Sequence, residues 1–286
     1  MINRSASLRA RLLNLAKNEN IEFQVIITRF LHERLLHRLS LSDFSHQFIL
    51  KGGTFIYAIQ GIKSRPTIDV DLFGQQIAND VETLCETFRT ICNIESDDEV
   101  RFLPESVVGE VITERDKYNG VRVFIETEFD SIRQRLQIDV GFGDVITPAN
   151  QQLEYPILLE EMQAPIIQAY SKETVIAEKF QAMIELSLLN SRMKDFYDVY
   201  KLLSTEDFNS ELLQEAITAT FNNRETSYIE NHALFTEEFA SNAQHQRNWT
   251  AFLNKIKRDR HLTFEVVMEL IIERLMPYWK GMRNDS

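Results

Sequence analysis

Apolar and polar residues follow two different periods along the chain, and the change of period divides it. Near the N-terminus the period is helical, because Leu8, Leu12 and Leu15 recur on one face while arginines lie on another. A second helical pattern follows over residues 22–38. Two helices are therefore predicted at the start of the chain.

Strand-like patterns dominate the middle of the chain. The short apolar run FILKGG fits either a strand or a helix-to-turn junction, and TFIYAIQG predicts a short helix that ends at Gly61. Strict alternation in IDVDLF predicts a strand, residues 78–92 predict a helix, and further strands are predicted from ESVVGEVITE, GVRVFIETEF and RLQIDVGFG. Helical patterns then recur to the C-terminus, over residues 171–188, 192–203, 210–222, 232–242, 245–257 and 263–280.

These patterns predict an α+β fold with two domains. The first, residues 1–160, contains a mixed β-sheet flanked by helices and begins with the two leading helices. The second, residues 161–286, is all-helical. We therefore expect the chemistry-bearing strands to lie in the first domain.

The charge is unevenly distributed along the 286 residues. The net charge is −12, yet residues 1–67 carry ten Lys/Arg and four Asp/Glu, and the remainder carries 21 and 39. The acidic average argues against a broad nucleic-acid surface, although a basic N-terminal third with Arg4, Arg9 and Arg11 can hold a polyanion locally. Solvated helix faces are the simpler explanation of the same charges.

Hydropathy and cysteine content predict a cytoplasmic protein. The apolar runs are too short to span a membrane, and no signal peptide is recognisable. Cys85 and Cys92 are separated by about 10 Å along a predicted helix, which is too far for a disulfide. Free thiols are typical of a reducing compartment.

Two aspartates interrupt the apolar strand IDVDLF. Period-two geometry places Asp69 and Asp71 on one face of the strand, about 6.5–7 Å apart. Ile68, Val70 and Leu72 are expected on the opposite face. A sheet with one solvated face explains an isolated pair of this kind without any chemistry.

Several other sites with similar motifs are excluded by their spacing. An EF-hand loop beginning at Asp69 would place Phe73 at the fifth position and Asp80 at the twelfth, where Ca²⁺ loops need an oxygen ligand and glutamate. A P-loop needs Gly-Lys-Ser/Thr, which GGTF lacks. The histidines and cysteines do not have the spacing of a zinc site.

A third carboxylate and a pair of glycines favour phosphoryl-transfer chemistry. Asp139 alternates with apolar residues in LQIDVGFG, so three carboxylates on neighbouring strands can cradle two divalent metals. Gly52 and Gly53 precede a short helix, where backbone N–H groups can approach phosphates closely. A metal–triphosphate site is one reading, and a solvated sheet face remains the other.

The order of these motifs resembles the nucleotidyltransferase superfamily that includes DNA polymerase β. More specifically, ETVIAEKFQAMIELSLLNSRMKDFYDVYKL is similar to the C-terminal signature of the AbiEii/AbiGii toxin family. SLRARLLNLAKNENIEFQVIITRFLHERLLHRLS and LQIDVGFGDVITP also resemble that family. The resemblance extends over nearly the whole chain and becomes weaker after about residue 225.

The resemblance implies a nucleotidyltransferase-like first domain and assigns roles to individual residues. Asp69, Asp71 and Asp139 would bind Mg²⁺ or Mn²⁺, and Asp139 would also help to activate the acceptor. Lys179 and Lys194 would hold the triphosphate. The implied nucleotide-binding residues are Gly52, Gly53, Thr54, Arg65, Lys179 and Lys194.

At two positions of the implied site, the role of the residue has more than one explanation. Asp195 or Asp198 matches a conserved acidic position of the family, but either can equally be a helix N-terminal charge or a group that orients Lys194. Gly53 stands where many superfamily members have serine, and Thr54 is the nearest hydroxyl that can replace it.

The function implied by the resemblance is that of a type IV toxin–antitoxin or phage-defence toxin. Such an enzyme would transfer a nucleotidyl group from an NTP to an RNA acceptor, with the tRNA 3′ end as the first expectation, and would have a cognate antitoxin as its partner. Transfer to a protein side chain and non-catalytic nucleotide binding are the alternatives. Because the carboxylate triad is intact, a non-catalytic role is the least favoured of the three.

Overall fold

The computed structural model describes residues 4–114 and 118–284, which form two compact units. The first unit comprises Met1–Gly143 and Gln151–Ala169, and the second comprises Asp144–Asn150 and Tyr170–Ser286. The sequence placed the domain boundary between residues 160 and 161, whereas in the structure the chain passes from one unit to the other three times. The predicted α+β fold class is confirmed.

The first unit contains four α-helices and eight strands within the described residues. The helices are α1 (Arg4–Asn18), α2 (Phe23–Leu41), α3 (Gly52–Gln60) and α4 (Val81–Cys92). The strands are β1 (Phe48–Leu50), β2 (Asp69–Gly74), β3 (Val100–Phe102), β4 (Val108–Glu114), β5 (Tyr118–Phe129), β6 (Ile132–Gly141), β7 (Gln151–Glu154) and β8 (Ile166–Ala169).

All eight strands join one mixed sheet. Its order is β3-β5-β6-β2-β1-β8-β7, and β4 pairs with the part of β5 that β3 leaves uncovered. The pairs β2–β6 and β1–β8 are parallel, and the remaining pairs are antiparallel. Strands β3, β7 and β8 were not predicted, because three or four residues are too few to display a period.

The sheet has one buried face and one polar face around its long hairpin. In β5 and β6, apolar residues such as Val123 and Ile138 are fully buried, and the residues between them are partly or fully exposed. The prediction for Ile68 was wrong: its side chain is 76% exposed, while Val70 and Leu72 are buried. Ile68 precedes the first paired residue, Asp69, and so escapes the alternation of β2.

Helix α2 is buried on every side, which its sequence did not predict. Its buried residues include three arginines, two histidines and a glutamate. Arg38 forms a two-point ion pair with Asp98, at 2.6 and 3.0 Å, and Arg34 lies 2.7 Å from Glu33. Since an unpaired buried charge is strongly unfavourable, these partners allow a charged helix to occupy the interior of the unit.

The second unit is helical, as predicted. Its helices are α5 (Lys172–Leu186), α6 (Met193–Thr205), α7 (Ser210–Asn223), α8 (Glu237–Ser241), α9 (Ala243–Ile256) and α10 (Phe264–Gly281). Aromatic side chains fill its core: Trp249 packs on Phe264, and Trp279 packs on Phe221. In the described part of the chain, no helix combines the length and apolarity needed to cross a membrane.

Candidate active site

Three half-buried carboxylates meet on the polar face of the sheet. Asp69 and Asp71 occupy alternate positions at the start of β2, and Asp139 of β6 is the direct parallel partner of Asp71. One oxygen from each of the three residues lies within 4.8 Å of the others. The alternation of β2 and the β2–β6 register are therefore sufficient to concentrate three negative charges at one point.

The glycine pair forms a wall of this cluster. Gly52 has φ +59°, and a Cβ atom placed there would lie 2.1 Å from Asp71 Oδ2. The Gly53 N–H donates a hydrogen bond of 3.0 Å to the same oxygen. A side chain at position 52 is thus excluded by both backbone conformation and space, and the N-terminus of α3 directly adjoins the carboxylates.

Neighbouring polar residues fix the start of β2. The Thr67 hydroxyl donates to Asp69 Oδ1 at 2.7 Å, and the buried Thr54 hydroxyl donates to the Asp69 carbonyl oxygen at 2.9 Å. Thr54 therefore ties α3 to β2, whereas the sequence suggested a hydroxyl directed at phosphate. The Arg65 guanidinium lies beside the glycines, since its Nη2 would be 3.3 Å from a Cβ atom at Gly53.

Arg122 of β5 is a component of the site that the sequence did not reveal. Its Nε and Nη2 donate to the two oxygens of Asp139, both at 2.8 Å, and Gln137 Nε2 adds a bond of 3.1 Å to Oδ1. The hydrogen bonds to Asp139 raise the pKa of the Arg122 guanidinium. Only the β5–β6 register, which pairs Arg122 with Asp139, could have indicated this contact.

The second unit holds the other predicted site residues. Lys179 Nζ of α5 lies 2.6 Å from Asp195 Oδ1 and 3.0 Å from Asp198 Oδ2, and Arg192 Nε lies 2.9 Å from Asp195 Oδ2. Burial alone would raise the pKa of Asp195, but Lys179 and Arg192 hold it below its ordinary value. Both aspartates are almost completely buried, whereas Lys194 is exposed on α6.

The basic first helix is neutralised on the surface of the first unit. Arg4 pairs with Asp97, Arg9 with Asp130, and Arg11 with Glu161. These arginine side chains are nearly half exposed, so solvent screens each pair and weakens it. The positive charge of Arg4, Arg9 and Arg11 is accordingly less available to a polyanion than the sequence suggested.

The donor set fits a divalent cation. Three carboxylates offer hard oxygen ligands of the kind that Mg²⁺ and Mn²⁺ prefer. The absence of a side chain at Gly52 lets the Asp71 carboxylate lie directly against the backbone at the start of α3, where it accepts from the Gly53 N–H. Such a cluster beside a helix N-terminus is suited to bind a metal–phosphate complex.

Comparison with known proteins relates the chain to one protein family. A family model described as "Nucleotidyl transferase AbiEii toxin, Type IV TA system" matches residues 34–270. No curated protein matches the chain.

Three solved structures resemble the chain at low sequence identity. A Helicobacter pylori protein described as a candidate nucleotidyltransferase has a TM-score of 0.51 and 14% identity over 93% of this chain and 99% of its own. JHP933 from Helicobacter pylori has a TM-score of 0.49 and 15% identity over 92% and 95%. ANT(2″)-Ia, solved with adenylyl-2″-tobramycin, has a TM-score of 0.38 and 17% identity over 72% and 100%. The first of these supports the same fold.

Proposed function

Because the chain belongs to the AbiEii nucleotidyl transferase toxin family of type IV toxin–antitoxin systems, we propose that it transfers a nucleotidyl group from an NTP to an RNA acceptor. The tRNA 3′ end is the acceptor we put first. The observation that supports the proposal is the convergence of three carboxylates beside the glycine pair at the N-terminus of α3. These carboxylates are Asp69, Asp71 and Asp139.

The chemistry we propose is a single displacement. The acceptor hydroxyl oxygen forms a bond to the α-phosphorus of the NTP, the bond from that phosphorus to the bridging oxygen breaks, and pyrophosphate leaves. Asp139 takes the hydroxyl proton, while the N–H groups at the start of α3 bind phosphate oxygens. Asp69, Asp71 and Asp139 would hold Mg²⁺ or Mn²⁺, which supplies Lewis-acid stabilisation of the phosphate charge.

A direct labelling assay tests this proposal. The purified protein is incubated with Mg²⁺, each α-³²P-labelled NTP in turn, and total RNA together with a protein extract. We expect one NTP to label a band of tRNA size that nuclease removes and protease does not. Asp71→Asn, which keeps the side-chain shape, should reduce labelling at least about a hundredfold.

Transfer to a protein side chain is the second candidate, and one observation favours it. The arginines of α1 are engaged by Asp97, Asp130 and Glu161, so the most basic segment offers little free charge to RNA. The same assay separates the two candidates, since a labelled protein acceptor is sensitive to protease and resistant to nuclease. Absence of label in every fraction, with wild type and Asp71→Asn alike, would contradict both.

Family membership also motivates a biological setting. We propose that the protein acts in the cytoplasm, that a cognate antitoxin opposes it, and that NTP is its small-molecule substrate. Co-expression of the adjacent reading frame should relieve growth arrest caused by the wild type, and Asp71→Asn should cause no arrest. Undiminished arrest with a folded Asp71→Asn protein would refute a toxin that acts through this site.

A further inference from the structure

Four charged residues form one row across the polar face of the sheet. Glu110 of β4 is paired with Arg122 of β5, Arg122 with Asp139 of β6, and Asp139 with Asp71 of β2. Directly opposed residues of paired strands present their side chains on the same face. Arg122 thus stands between a carboxylate of the catalytic cluster and Glu110.

In this structure the Arg122 guanidinium binds both of the carboxylate oxygens that Asp139 would offer to a cation. Both carboxylate oxygens accept from the guanidinium at 2.8 Å, which is a bidentate, charge-assisted contact. Asp69 differs, because its Oδ1 accepts from the neutral hydroxyl of Thr67. Ligation of a cation through the lone pairs that now accept from Arg122 therefore requires that Arg122 give up at least one of its two bonds.

Glu110 provides the second partner that such a movement needs. Its Oε1 lies 3.8 Å from Arg122 Nη1, just beyond hydrogen-bond distance, and its side chain is 58% exposed. The Arg122 side chain is 31% exposed, so a small rotation moves it without opening the core. Arg122 can thus exchange one carboxylate for the other while remaining paired.

We infer that Arg122 is a positioning residue that passes from Asp139 to Glu110 when a divalent cation binds. In the metal-free protein Arg122 holds Asp139 in place and offsets part of the negative charge of the cluster. On cation binding it moves to Glu110, and the strength of its bond to Asp139 sets the affinity of the site. This inference rests on the proposed function, because it takes the carboxylate cluster to be a metal site.

A double-mutant cycle of Mn²⁺ binding tests the exchange. Titration calorimetry and Mn²⁺ electron paramagnetic resonance give the dissociation constant of the full-length protein without nucleotide. We expect Arg122→Gln to tighten Mn²⁺ binding about tenfold, because a competing cation is removed. Glu110→Gln should weaken binding about threefold, because Arg122 loses its second partner.

The double variant separates exchange from simple charge effects. If Glu110 acts through Arg122, adding Glu110→Gln to Arg122→Gln changes nothing further, so the double variant equals Arg122→Gln. Independent long-range charge effects would instead multiply, and the double variant would then bind about threefold more weakly than Arg122→Gln. Multiplicative behaviour overturns the inference, as does an Arg122→Gln protein that binds Mn²⁺ equally well or more weakly than wild type.

A matched cross-strand pair serves as the control. Arg135 of β6 faces Glu126 of β5 at 3.8 Å on the same polar face, two rows from the carboxylates. Arg135→Gln and Glu126→Gln should change the Mn²⁺ dissociation constant less than twofold. Melting curves in EDTA verify that every variant is folded.

This experiment also distinguishes failure of the inference from failure of the proposed function. Nucleotidyl transfer is not part of the readout. A non-additive cycle therefore supports Arg122 exchange even if no acceptor is labelled, and an additive cycle overturns it even if labelling succeeds.

Discussion

At the scale of single residues, the positions without side chains are as informative as those with charges. Gly52 and Gly61 both have positive φ, +59° and +67°, but their surroundings differ. A Cβ atom at Gly52 would lie within 2.6 Å of three Asp71 atoms, whereas at Gly61 it would meet nothing within 4 Å. A substitution at Gly61 therefore tests backbone strain alone, whereas a substitution at Gly52 tests backbone strain together with steric exclusion at the site.

Alanine at each position should give distinct outcomes. Gly61→Ala should lower the free energy of unfolding by about 1–3 kcal/mol through backbone strain, with unchanged Mn²⁺ affinity. Gly52→Ala should add displacement of Asp71, so Mn²⁺ binding and transfer should fall by at least about tenfold. Denaturant melts and Mn²⁺ titrations check this, and equal Mn²⁺ affinity of the two variants would show that Gly52 does not shape the cluster.

The face of the strand on which each carboxylate lies was predictable, because period-two alternation depends on local sequence alone. Asp69 and Asp71 are two residues apart, and Asp139 lies in a second alternating strand. Arg122 and Thr67 were not predictable, because their contacts depend on strand register and on a turn that no local pattern specifies. The sequence thus indicates which face each carboxylate occupies but does not indicate what balances its charge.

At the scale of secondary-structure elements, α5 and α6 are joined by a buried ion cluster. Lys179→Met should leave Asp195 and Asp198 buried without their shared cation and should destabilise the fold by about 3–5 kcal/mol. Lys194→Met is the matched control, since that lysine is exposed, and it should change stability by less than about 0.5 kcal/mol. A stable Lys179→Met protein with lost activity would instead favour a direct role in the reaction.

The pH dependence of this cluster has a definite sign. The pKa of Asp195 is lowered in the folded state, so its contribution is fully present above the unfolded value of about 3.8. That contribution is lost as the pH falls through the folded pKa. The stability difference between wild type and Lys179→Met should therefore become smaller in acid, which urea melts at pH 3 and pH 7 can measure.

Glu33 on α2 should show the opposite behaviour. Burial raises its pKa to about 7, against the opposing effects of Arg34 and the Leu158 N–H. The folded state therefore holds this proton more tightly than the unfolded chain, and stability falls as the pH rises from about 4.5 to 7. A shift of this size corresponds to roughly 3 kcal/mol.

Glu33→Gln should remove this loss of stability. Urea melts between pH 4.5 and 8 should show that the wild type loses stability relative to the variant as the pH rises, and the loss should level off between pH 7 and 8. The exposed Glu19→Gln provides the control and should run parallel to wild type. A Glu33→Gln curve parallel to wild type would mean that Glu33 is ionised throughout.

Helix α2 itself was predictable from the sequence, but its burial was not. Its charged residues leave it without a continuous apolar stripe, so no single face is marked as the buried one.

At the scale of the whole molecule, the sheet depends on a strand near the end of the first unit. Strand β8 lies between β1 and β7, and it pairs in parallel with β1. A fragment of residues 1–160, the first domain as judged from sequence, lacks β8 and exposes the edge of the buried strand β1. Exposed edges of this kind promote association between chains.

We expect the 1–160 fragment to aggregate and a 1–169 fragment to be soluble with a cooperative melt. Size-exclusion chromatography and circular dichroism compare the two. A monomeric, cooperatively melting 1–160 fragment would show that β8 is dispensable. Sequence patterns could not place this boundary, since β8 is four residues long and directly follows a proline-containing segment.

Because the chain passes between the two units three times, the first unit is completed late in synthesis on the ribosome. Synthesis proceeds from the N-terminus at about 5–20 residues per second, so β1 is exposed well before β8 exists. Asp144–Asn150 leaves the ribosome before β8, although it belongs to the unit that is made last. A premature stop before residue 166 would therefore release a chain in which the edge of β1 is open, and we expect such incomplete chains to aggregate.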